Sequence, residues 1–126
     1  MTMIVVGLAR NAEQARSIAR ALEDGGFAME PVDPAELVSR GVPQEEADVY
    51  GEGARRGGTI VLVRARDAGS AAEVAQMMAA HGALDIDACA IGWRRQPDAG
   101  AEEYALIFGE YPAAPGRIYT DPRSSV

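Results

Sequence analysis

The sequence predicts an α/β (α+β) domain of ferredoxin-like type, with two β-α-β halves sharing one sheet, a helical insert between the halves and a C-terminal tail. Three observations predict it. Two strongly apolar runs, Met3-Ile-Val-Val-Gly-Leu-Ala9 and Thr59-Ile-Val-Leu-Val-Arg-Ala65, each precede a segment of helical period. Extra helical sequence separates the halves. From Pro97 onward the composition shifts, with four of the seven prolines and three of the four tyrosines beyond that point.

The first run is β-branched and ends at Arg10-Asn11, after which Ala12, Ala15, Ile18, Ala19 and Leu22 recur at helical spacing. Asn11 is placed to cap that helix with Gln14 three residues on, and Gly25-Gly26 supplies the stop. A second strand is expected over Phe27 to Val32. Asp33-Pro-Ala-Glu36 then has the order of a helix start, but Gly41 ends it within two turns. Pro43 opens a further helix through Arg56, with Ala47, Tyr50, Gly51 and Ala54 as its buried stripe and Gly57-Gly58 as its end. Residues 34–56 thus form the insert.

The run from Thr59 to Ala65 is the clearest strand. Ser70 with Glu73 reads as a capping box opening a helix of Ala71, Val74, Ala75 and Met78, closed by His81-Gly82. The last strand is expected within Asp85 to Arg94. One domain over 1–96 and a tail over 97–126 follow, with Tyr104 to Phe108 reading as a strand in the tail. The rival architecture is the alternating doubly wound sheet. Both strong strands are apolar at consecutive positions, so both faces of the sheet need cover. The available covers are the insert, the tail and a second copy of the chain; the reading favours a dimer together with one of the others.

Composition narrows the partners. At 48% hydrophobic and 25% charged the chain is globular rather than disordered. A net charge of −7 repels phosphate backbones, so no nucleic-acid partner is expected. The uninterrupted apolar stretches, Ile60 to Val63 among them, are far short of a membrane span, and the N-terminus lacks a basic leader. Cys89 is the single cysteine, so a reducing cytoplasm is expected, and nothing in the sequence asks for a cofactor.

Three stretches, Gly41-Val-Pro-Gln-Glu-Glu-Ala-Asp-Val-Tyr50, Glu52-Gly-Ala-Arg-Arg-Gly-Gly-Thr-Ile-Val-Leu-Val63 and His81-Gly-Ala-Leu-Asp-Ile-Asp87, occur in this order, followed by Trp93-Arg94. Residues 1–95 thereby resemble the bacterial general-stress domain of YflT/YsnF type. Gly51 and Cys89 depart from the family pattern. The resemblance implies a stress-linked, cytoplasmic, oligomeric module and carries no established chemistry with it.

Each candidate site has a plainer competing role. Arg55 and Arg56 beside the Gly57-Gly58 turn, with Tyr50 nearby, suit a small anionic ligand; they also suit pairing with Glu52 at i+3 and i+4. Gly51, Gly53, Gly57 and Gly58 lie within and at the end of a helix, where no phosphate loop belongs, so close packing is the reading for Gly51 and Gly53. His81, Asp85 and Asp87 are three residues of types able to hold a divalent metal, whereas a histidine at a helix end also caps carbonyls. Cys89, among Ala88, Ala90 and Ile91, reads as a buried apolar residue. Trp93, Tyr104 and Phe108 are candidate interface anchors. The leading expectation is a non-catalytic, self-associating stress-response module, the homodimer being the simplest form. A small anionic-ligand sensor is the alternative, and a metal-dependent enzyme comes third.

Overall fold

The computed structural model describes residues 3–30, 32–95 and 114–122. Strand β1 (Met3–Ala9) is followed by helix α1 (Ala12–Asp24), the two-residue strand β2 (Met29–Glu30) and two 3₁₀ turns, Pro34–Glu36 and Val38–Arg40. Helix α2 (Gln44–Arg55), strand β3 (Thr59–Ala65), helices α3 (Ala68–Ala80) and α4 (Ile86–Arg95) and strand β4 (Arg117–Thr120) complete the order among the described residues. The sheet runs β2-β3-β1-β4, and every neighbouring pair is antiparallel. That is the ferredoxin-like arrangement, in which β3 lies between β1 and β2 and β1 lies between β3 and β4.

Alternation along β1 divides the core. Ile4, Val6 and Leu8 point to one face with Ile60 and Leu62, where they meet Tyr50 of α2, Ile86, Cys89 and Trp93 of α4, and Leu37 from the insert. Val5, Ala9, Val61 and Val63 point to the other face and meet Ile18 and Leu22 of α1 and Val74 and Met78 of α3. Both faces are therefore covered within one chain. Each such side chain brought from water to full burial contributes about 1.5–3 kcal/mol.

The structure corrects the C-terminal part of the sequence reading. Asp85 to Arg94 is not a strand: Asp85 Oδ1 accepts from the backbone N of Asp87 at 3.0 Å and of Ala88 at 3.4 Å, which caps α4, and Ile86, Cys89 and Trp93 line its buried side. The fourth strand is β4, beyond position 96. The segment taken for a tail thus completes the sheet, pairing Val5 with Ile118 and Val6 with Arg117. The expected strand over 104–108 lies outside the described residues. Helix α3 also starts earlier than the Ser70 box implied, because Asp67 Oδ1 accepts from Ser70 N at 2.8 Å and takes the N-cap.

One buried ion pair ties β4 to the insert. Arg40 (3% exposed) donates from Nε to Asp121 Oδ2 (1% exposed) at 2.8 Å, and from Nη2 to Glu30 Oε2 at 3.1 Å. Burial alone would lower the Arg40 pKa, but the hydrogen bonds and charges of Asp121 and Glu30 outweigh it and raise it. Next to it Gly41 has φ 99°, and a Cβ there would strike the Thr120 carbonyl oxygen, so only glycine lets the insert lie against the β4 backbone. The expected effect of Asp121→Ala is a loss in the lower part of about 3–5 kcal/mol, since Glu30 still faces the stranded guanidinium. An Arg40→Met/Asp121→Leu double variant should recover most of it, as read from urea-unfolding midpoints at neutral pH.

Candidate functional site

At the end of α2 the turn expected to cradle an anion is already satisfied. Gly57 N donates to Ala54 O at 3.2 Å and Gly58 N to Gly53 O at 2.8 Å, the paired bonds of a Schellman ending with Gly57 at φ 96°. Glu52 accepts from Arg55 Nη2 at 2.5 Å and from Arg56 Nε at 2.8 Å. The hydrogen bond from Arg55, followed by that from Arg56, holds the Glu52 carboxyl below its ordinary pKa despite partial burial. The Arg56 guanidinium lies over the Trp93 ring, 5.1 Å from its centroid, and so links α2 to α4. The Gly57 and Gly58 amides thus close the helix, and Arg55 and Arg56 each give a donor to Glu52. Gly53 packs as expected, since a Cβ there would strike Leu8, whereas Gly51 meets only ordinary contacts from Arg55 and Pro34.

Tyr50 does not belong to that turn. It is buried in the core, with its hydroxyl donating to Val6 O at 3.3 Å and lying 3.4 Å from the Tyr119 hydroxyl. Burial pushes its phenol up to about 12.

His81, Asp85 and Asp87 are not gathered into a metal centre. His81 is an exposed residue at the end of α3 whose backbone oxygen accepts from Gln14 Nε2 at 3.2 Å. Asp85 caps α4, and Asp87 accepts from Arg117 Nη2 at 2.7 Å. Among the described residues no three His, Cys, Asp or Glu side chains converge to hold a metal ion.

Two features remain. The first is a polar network that joins α2, α4 and β4. Glu46 Oε1 accepts from Arg117 Nη1 and from the Tyr119 hydroxyl, both at 2.8 Å, while the other Arg117 nitrogen reaches Asp87. Burial opposes the charge on Arg117, but Glu46 and Asp87 more than offset it and raise its pKa. Burial, then Tyr50 and Glu46, raise that of Tyr119. Beside the network lies a cavity of about 230 Å³, with Val6, Leu84 and Ile86 among its apolar walls and Asp85, Asp87 and Arg117 among its polar groups. Sequence reasoning missed Glu46, Arg117 and Tyr119; the alternation of Arg117 and Tyr119 on one side of a short strand was the available signal.

The second feature is a groove between α2 and α4, lined by Asp48, Val49, Glu52 and Arg56 on one bank and Ala90, Trp93 and Arg94 on the other. Trp93 is 5% exposed, and its indole N–H is the buried side-chain group without an acceptor among the described residues. Ile91 on the same helix is 51% exposed. Of the other expected anchors, Tyr104 and Phe108 lie outside the described residues. Compared with family models, with curated proteins and with solved structures, the chain gives no significant match.

Cys89 sits wholly inside the core under α4, and burial, followed by the charge of Asp85, pushes its thiol from 9.0 to about 12. The folded state therefore holds the proton that the unfolded chain releases. Stability from this group is complete below pH 9 and is lost as pH climbs toward 12. Iodoacetamide is expected to leave the native thiol unmodified and to modify it once urea unfolds the chain. Between about pH 8 and about pH 10, where free thiols ionise first, Cys89→Ala should flatten the fall in the urea midpoint.

Proposed function

We propose that the chain is a non-catalytic, self-associating module of the bacterial stress-response type, acting in the reducing cytoplasm, with the α2/α4 face as its self-association surface. The observation that carries this reading is the groove over Trp93. A buried donor left without an acceptor costs about 1–3 kcal/mol, and it belongs here to a groove lined by Trp93, Arg56 and Arg94, tryptophan and arginine being residue types enriched where proteins bind. Among the described residues no helix is long and apolar enough to cross a membrane.

Charge argues for a second copy as the occupant. On the α2 bank Glu52 is matched by Arg56 and Asp48 remains as the excess negative charge, while the α4 bank carries Arg94, with the exposed Arg95 next to it. A two-fold axis through the groove sets each acidic bank against the partner's basic one, and an isologous contact requires that self-complementarity. The three stretches resembling the stress family fit the same role. Gly57 and Gly82 end helices, Glu52 clamps two arginines, Asp85 caps α4 and Asp87 holds Arg117, so their conspicuous residues serve architecture.

Sedimentation velocity at micromolar concentration is expected to give a dimer. Ile91→Asp should shift it to monomer, as should Arg94→Glu, the latter weakening association about tenfold for each 1.4 kcal/mol of lost attraction. Combining Arg94→Glu with Asp48→Arg should restore the dimer. A strict monomer for the unaltered chain, or a dimer indifferent to all three variants, overturns the reading.

A further inference from the structure

We propose that the cavity beside Arg117 is a binding site for a small zwitterion, an α-amino acid with a short apolar side chain. The juxtaposition that carries this is one guanidinium and two carboxylates, Arg117, Asp85 and Asp87, around a pocket whose walls include Val6, Leu84, Ile86 and Pro115.

Charge selects the ligand class. Glu46 already balances the guanidinium, so a simple anion meets the net negative charge of Asp85 and Asp87, and a simple amine must compete with Arg117 Nη2 for Asp87. A molecule with an ammonium and a carboxylate on one carbon satisfies both at once. Size points the same way, because about 230 Å³ lies below the roughly 300–1,000 Å³ of pockets for drug-sized ligands. Val6, Leu84, Ile86 and Pro115 give the lining an apolar share that suits a short aliphatic side chain.

The site is built with one fixed arm and one exchangeable arm. Arg117 Nη1 is held by Glu46 Oε1, which also accepts from Tyr119, and this end is the more enclosed. The other arm, Nη2, pairs with Asp87, whose side chain is 75% exposed. An exposed pair of this kind contributes about 0–1 kcal/mol, so a ligand carboxylate can take the Nη2 position at little cost. Asp87 is then free to accept from the ligand ammonium. Asp85 shares that task through Oδ2, since its Oδ1 is committed to the cap of α4.

Isothermal titration calorimetry of the full chain with L-valine tests the site, with isovalerate and isobutylamine as probes that each lack one of its two charges. Valine is expected to bind at millimolar concentration or below, and both half-probes about tenfold or more weaker. Asp87→Asn should weaken valine about tenfold while leaving isovalerate unchanged or tighter, a reversal that a purely structural role for Asp87 does not produce. Arg117→Met should abolish valine binding. Because that variant also removes a tie to β4, its fold is checked by far-UV circular dichroism, and Ala114→Trp, which fills the cavity and leaves the network in place, serves as the second blocking variant. Absence of heat with valine, alanine and leucine alike overturns the proposal. So does isovalerate binding as tightly as valine, or valine binding that survives both blocking variants.

Discussion

A central strand that reads Ile4-Val-Val has no polar side to give to water, and most of the architecture follows from that. The neighbouring β3 has the same character through Ile60, Val61, Leu62 and Val63, all at or below 8% exposure. Leaving one face of such a pair wet would expose a contiguous apolar surface of the kind that drives association. Helices α1 and α3 close one side in the usual ferredoxin-like manner. The other side requires additional sequence, and α2, α4 and Leu37 of the insert supply it. The insert is therefore structural cover for the sheet. The groove between α2 and α4 lies over the buried, unpartnered indole N–H of Trp93 and carries Asp48 on one bank and Arg94 on the other.

The second cover has to be held in register with β4, a strand of only four residues. Polar contacts do this. Arg40 meets Asp121 at one end of the strand, while Arg117 and Tyr119 meet Glu46 further along, so the insert grips β4 at two points. The buried Arg40–Asp121 pair is weak evidence for net stability, because two charges have been taken out of water. The geometric demand of the polar contacts is stronger: a slip of β4 by one residue would turn Arg117 and Tyr119 to the α1/α3 face and strand Glu46.

Much of the fold was legible where the signals are local. Asn11 as a cap, Gly25-Gly26, Gly57-Gly58 and His81-Gly82 as stops, and the pairing of Glu52 with Arg55 and Arg56 all act within a few residues. The requirement for two-sided cover was legible too, in the consecutive apolar positions, although the choice among insert, tail and second copy was not. Helix α4 was missed because Ala88-Cys-Ala-Ile91 is an apolar run short enough for a strand; the Asp85 cap and the spacing of Ile86, Cys89 and Trp93 were the contrary signs. Strand β4 was invisible for another reason. Arg-Ile-Tyr-Thr becomes a strand by pairing with β1, more than a hundred residues away in sequence. The Arg117 network fails the same test, since its bonds span 71, 73 and 30 positions and no window of sequence contains them together.

The Arg40–Asp121 pair, 81 residues apart, also sets an order of events for a chain made from its N-terminus. Until residues 117–121 leave the ribosome, β1 has one unsatisfied edge and Arg40 lacks its innermost partner. Everything up to α4 can collapse by then, but in a form whose open strand edge is a template for pairing with other chains. For this protein, then, the interval between translating the insert and translating β4 is the period of exposure, and the final strand acts as the latch that ends it.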